Sequence, residues 1–135
     1  METHGFKAFH KDPTTGQLFC KTWFEYNHHQ TYTHDGKMEI CKSGFHFCRN
    51  PCDVFNYYPT DSVICNVTAF GKVHDKGDKS VCGTILIGDT FEFTDLHIKE
   101  FIHTPYQAAR VIKHACLKGD LEIAKQIWAA KHDVC

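Results

Sequence analysis

Between Ser62 and Ile87 the chain alternates side chains in a period of two, broken by Asp75-Lys76-Gly77-Asp78. Successive side chains of a strand point to opposite faces. Val63, Cys65, Val67 and Ala69 therefore face one way from a strand over 62–74, and Ile64, Asn66, Thr68 and Phe70 face the other. The Asp-Lys-Gly-Asp stretch turns the chain back into a second strand over 80–87, so an antiparallel hairpin is predicted. Gly88-Asp89 reads as a further turn into Thr90-Phe91-Glu92-Phe93. Upstream, Gly5-Phe6-Lys7-Ala8-Phe9 alternates as a first strand. Asp12-Pro13-Thr14-Thr15-Gly16 is a turn signal. Thr22–Tyr26 and Thr31–Thr33 are rich in β-formers, and Gly44–Cys48 is a short aromatic strand. Asp35-Gly36 before Lys37–Ile40 is a hairpin signal.

Helical signals are fewer and sharper. Asn50-Pro51 caps and opens a short helix that must stop before Pro59. After Asp95 the pattern changes. Thr104-Pro105-Tyr106-Gln107 is a capping box with proline at the first helical position. Ala108, Ala109, Ile112, Ala115 and Cys116 then fall on one helical face. Lys118-Gly119 ends that helix and Asp120 caps another, in which Leu121, Ala124, Ile127, Trp128 and Lys131 share a face. The expected fold is α+β: a mixed, mostly antiparallel sheet with one short helix, followed by a C-terminal helical hairpin. The expected division is a β-rich unit over 1–95 and a hairpin over 96–135.

Composition narrows the function classes. Hydrophobic residues make up 42% and charged residues 23%, which suits a packed globular chain. No apolar run approaches the roughly 20 residues that span a bilayer. Lys+Arg number 15 against 16 Asp+Glu, so the basic excess of a general nucleic-acid binder is missing. The start, Met1-Glu2-Thr3-His4-Gly5-Phe6, has neither the basic nor the apolar region of a secretory signal. A reducing cytoplasm is therefore expected. There the eight cysteines imply buried thiols, a metal site or reactive thiols rather than a disulfide framework. Cys65 and Cys116 sit where an apolar side chain would serve, the usual place of a free cysteine.

The segment Thr104-Pro105-Tyr106-Gln107-Ala108-Ala109, with Ala115, Gly119–Lys125 and Lys131–Val134, resembles one ankyrin repeat over about 31 of its 33 residues. Tyr-Gln stands where Leu-His is usual. That resemblance implies either the head of a longer array or a helical pair that caps the β half. Gly5–Phe9, Thr31-Tyr32, Ile40–Cys48, Asn50–Pro59 and Ala69–Val73 resemble a small uncharacterised domain of phages and giant viruses. A viral protein acting on a host partner is implied by the pair of resemblances.

Two constellations carry candidate chemistry. Cys41, His46, Cys48 and Cys52 offer four nitrogen and sulfur donors, as zinc requires, although their spacing matches no standard finger. Separately, Gly44-Phe45-His46-Phe47, the helix ending in Tyr57-Tyr58 and the strand after it resemble the middle of ADP-ribosyltransferase-like domains. The resemblance implies an NAD pocket. Gly44 would admit the backbone close to the ligand, Phe45 or Tyr58 would stack on nicotinamide with Tyr57 beside them, and His10 would contact the ribose. The family's catalytic glutamate is absent near Lys79–Cys82, and Asp78 is the nearest carboxylate. The leading expectation is a non-catalytic binding module for a protein or small ligand, with its surface drawn from Trp23–Tyr32 and Phe45–Tyr58. The rivals are an NAD-binding transferase-like domain, active or degenerate, and a zinc-stabilised module. No membrane or general nucleic-acid partner is expected.

Overall fold

A computed structural model describes residues 1–20, 24–34, 44–93 and 100–134, with side chains up to residue 129. The expected hairpin at Asp35-Gly36, together with Trp23 and Cys41, lies outside the described residues. Among the described residues seven strands form one sheet: β1 (Glu2–Lys11), β2 (Leu18–Phe19), β3 (Glu25–Tyr26), β4 (Thr31–Thr33), β5 (Phe45–Phe47), β6 (Val63–Lys76) and β7 (Lys79–Thr90). Their order is β3-β2-β1-β6-β7-β4, with β5 also paired to β7. Every ladder among the described residues is antiparallel. A 3₁₀ helix, Pro51–Asn56, follows β5, and α1 (Pro105–Leu117) and α2 (Leu121–Val134) form the C-terminal hairpin. The α+β expectation holds.

The central hairpin runs further than the sequence pattern indicated. Gly88-Asp89 does not turn the chain: β7 continues through it to Thr90. The register against β6 shifts there, between the pairs Cys65–Thr90 and Val67–Ile87. A Cβ on Gly88 would lie 2.9 Å from the Asn66 carbonyl oxygen, so glycine serves a bulge where two backbones crowd. Beyond it the Phe91 amide donates to the Ile64 carbonyl at 2.7 Å. Phe91 and Phe93 then leave the sheet and enter the core, so no separate strand forms over 90–93.

The sheet has apolar side chains on both faces. Cys65, Val67 and Ala69 of β6 pack with Phe9, Phe45, Phe47, Cys82, Ile85 and Ile87 on the inner face. Ile64 and Ala8 point outward, where Val54, Phe55, Ala108, Val111 and Ile127 cover them. Strand parity accounts for this division, as expected for β6. Between them, Thr104 and Gln107 close the reciprocal capping box and Asn50 caps the 3₁₀ helix, both as the sequence indicates.

The helical faces differ from their expected composition. On α1, Ala108, Val111, His114 and Ala115 are buried, whereas Ala109 and Cys116 face solvent. A buried histidine displaces the face: His114 Nδ1 lies 2.5 Å from the Thr60 carbonyl oxygen, and its ring packs 4.9 Å from that of Phe55. On α2, Ala124 and Ile127 are buried, but Leu121 and Trp128 are 62% and 53% exposed. No helix among the described residues is long and apolar enough to cross a membrane.

Candidate functional site: a lysine enclosed by the sheet

β5 does more than edge β7. The residue that follows it, Cys48, bridges back to Phe6 of β1, with N–H···O bonds of 2.7 and 2.8 Å in both directions. The path β1-β6-β7-β5 therefore returns to β1, and this part of the sheet closes as a small barrel does. Glycine permits the closure: a Cβ on Gly5 would sit 2.5 Å from the Phe47 ring and 2.8 Å from the Cys48 carbonyl oxygen.

On β1, Gly5, Lys7 and Phe9 share the inner face by parity. Lys7 is consequently only 7% exposed. Its ammonium donates to the His46 carbonyl at 2.6 Å and lies 5.7 and 5.9 Å from the ring centroids of Tyr26 and Phe9. Burial lowers its pKa to about 8, a shift only partly opposed by the Cys20, Cys82 and Cys48 thiols and reinforced by Lys79. None of these groups is a carboxylate. Next to it, burial first, then Lys7 and Lys79, drive the His46 imidazole down to about 4. The sequence reading did not single out Lys7. A signal was present, because a lysine stands at the same parity as Gly5 and Phe9 in an apolar strand.

The residues singled out for a nucleotide pocket fall into separate settings. His10 and Tyr58 do meet, with ring centroids 5.5 Å apart. Phe45 is 8% exposed and packs in the inner core. Tyr57 and Tyr58 pack against the outer core under the helices. Asp78 has both carboxylate oxygens engaged: it accepts from the Tyr57 hydroxyl and, at 2.5 Å, from Asn56 Nδ2. Lys79 Nζ lies 4.6 Å from the Tyr57 ring centroid. The β6–β7 turn is thereby tied to the end of the 3₁₀ helix. Gly44 has a φ of 96°, a left-handed conformation that favours glycine, immediately before β5.

Of the four metal-ligand candidates, Cys41 is outside the described residues. Cys48 and Cys52 are buried, and burial pushes both thiols up to about 12, so they are protonated at neutral pH. His46 is half-buried on β5. Among the described residues no three His, Cys, Asp or Glu side chains converge on a metal position. The described cysteines are free thiols, and Cys48, Cys52, Cys65 and Cys82 are buried as a reduced core would have them.

At the sheet end, aromatic rings run from core to surface. Phe45 lies 6.3 Å from Tyr26 and 6.5 Å from Tyr32, which are 5.1 Å apart. Phe24 stacks outside them, 4.8 Å from Tyr26 and 5.8 Å from Tyr32, and is 47% exposed. His28 and His29 continue this rim; His29 has a φ of 64° and pairs with Asp89 at 3.0 Å.

Neither a curated protein nor a solved structure matches the chain. A family model described as a domain of unknown function, DUF7666, matches residues 3–101, which include Lys7, the 3₁₀ helix and the aromatic run, and the chain belongs to that family.

Proposed function

We propose that this protein is a binding module that takes a protein partner through the outer end of its aromatic run: Phe24, Tyr32 and the histidine rim beside them. The observation that carries this reading is the 47% exposure of Phe24, a large apolar ring stacked on a rigid, buried aromatic base. Aromatic side chains with little rotamer freedom are favoured anchors at interface centres. The viral resemblance makes a host protein the partner to look for first. Beneath the patch Phe9, Phe45, Phe47 and Ile85 pack together and back the exposed ring.

The test compares wild type with Phe24→Ala in affinity capture from a host lysate, followed by measured affinity for the captured protein. Anchoring by Phe24 predicts at least a tenfold weaker complex for the variant, with unchanged thermal stability. Equal affinity contradicts the reading. A second reading, an NAD-binding relative of the transferases, draws support from the His10–Tyr58 contact. NAD titrated into isotope-labelled protein tests it: saturable NMR shifts at His10 and Tyr58 support a nucleotide site, and none at millimolar NAD count against it.

A further inference from the structure

We propose that Lys7 is an imine-forming amine, the site at which this protein takes up a small uncharged aldehyde. Three observations on the enclosed side chain carry this. First, Lys7 is 7% exposed, yet among the described residues the His46 carbonyl is its one hydrogen-bond acceptor. An ammonium has three N–H donors, so two have no acceptor among the described residues. Buried lysines ordinarily have a carboxylate partner; here the groups acting on the charge are three thiols and Lys79.

Second, the environment deprotonates the amine. With a pKa of about 8, about a quarter of Lys7 is the neutral nucleophile at pH 7.5, against roughly 0.1% for an ordinary lysine. Desolvation of this kind is the usual means of activating a lysine for attack on a carbonyl. Third, the surroundings suit the product. Nζ attacks the aldehyde carbon, the C=O π bond opens to a hydroxyl, and the carbinolamine expels water to leave C=N. Protonated lysine plus aldehyde thus yields a protonated iminium plus water, with no oxidant or reductant needed. The single N–H that remains matches the single acceptor, His46 O, and the Tyr26 and Phe9 rings that neighbour the ammonium stabilise the iminium cation in the same way. Among the described residues no carboxylate acts on the ammonium, and that setting with the Tyr26 and Phe9 rings beside it favours an apolar, uncharged aldehyde.

The experiment treats the full chain with propanal and cyanoborohydride at pH 7.5 and maps the trapped alkyl-lysines by mass spectrometry over time. Lys7 is expected to be labelled at least tenfold faster than the exposed Lys11 and Lys72. In urea the three should react at equal rates, which attributes the difference to the fold. Labelling of Lys7 at or below the rate of Lys72 in the folded protein overturns the proposal. Lys7→Met, checked for native stability, should remove the fast adduct; a fast adduct that persists in it also overturns the assignment.

Discussion

The Phe47 ring occupies the space that a Cβ on residue 5 would need, only 2.5 Å from its ideal position. This contact between Gly5 and Phe47 brings β5 against β1, makes the Phe6–Cys48 bridge and puts the His46 carbonyl over the Lys7 ammonium. Gly5→Ala should therefore lower stability by about 1–3 kcal/mol, the usual cost of overpacking. Urea unfolding measures it. A loss below a few tenths of a kcal/mol would show that the strands are not pressed together there.

Lys7→Met exchanges a buried cation for an apolar chain of similar length. Charging Lys7 in the interior costs on the order of 3 kcal/mol, from its pKa of about 8 against 10.5. The variant leaves the His46 carbonyl without its donor, a penalty of about 1–3 kcal/mol. Near-equal or higher stability at pH 7 is the expected outcome, read from thermal melts. A loss of 3 kcal/mol or more would mean that the ammonium has an anionic partner.

Alkaline stability follows from the same side chain and from the buried thiols. The unfolded chain keeps the Lys7 proton up to about pH 10.5 while the folded chain releases it near 8, so the contribution of Lys7 rises with pH above 8. Burial raises Cys48, Cys52 and Cys65 to about 12 and Cys82 to about 11, so the folded chain keeps protons that the unfolded chain loses above 9. These thiols make stability fall there. Between 8 and 9 the gain from Lys7 and the loss from the four thiols nearly cancel, so wild-type urea midpoints are expected to be level or slightly falling there, and Lys7→Met should fall more steeply, by about 1 kcal/mol over that interval. Equal slopes for wild type and Lys7→Met over that interval would contradict the burial of Lys7.

On the acid side, His114 is lowered mainly by burial, with Lys118 also lowering it and the Thr60 carbonyl, Glu92 and Asp61 opposing. His46 is lowered to about 4. A depressed histidine pKa means that the unfolded state binds the proton first, so stability falls as pH drops below about 6.5. Because His114 seats α1 on Phe55 and Thr60, the helical hairpin should lose amide-exchange protection before the closed sheet does. His114→Phe should reduce the acid sensitivity; an unchanged acid limb would assign it elsewhere.

Removal of the α1 cap tests the helix start. Thr104→Ala deletes the acceptor for the Gln107 amide, which lies 3.1 Å from Thr104 Oγ1, and should cost about 1 kcal/mol. Thr104→Ser should restore most of it.

The sequence made the parity of β6, the Thr104–Gln107 capping box, the Asn50 cap and the α+β class legible because each rests on local chemistry. Alternation places Cys65 and Val67 opposite Ile64 whatever the rest of the chain does. Gly88-Asp89 misled because glycine serves turns and bulges alike, and only the partner strand decides between them. The face of α1 was misjudged because His114 is polar by type and buried by context, through a carbonyl 54 residues away in sequence. The candidate site was the least legible part. His10 and Tyr58 do come together, but Phe45 went to the inner core, and the closure that encloses Lys7 depends on a bridge between Phe6 and Cys48 that no local pattern encodes.

The enclosure of Lys7 by the closed sheet is tested most directly by an NMR titration of its side chain in lysine-labelled protein, with Lys7→Met used for assignment. The account predicts a midpoint near 8 for Lys7, well below those of the other lysines. A midpoint near 10.5 would show the ammonium to be solvated, and would contradict both the closed sheet and the amine chemistry drawn from it.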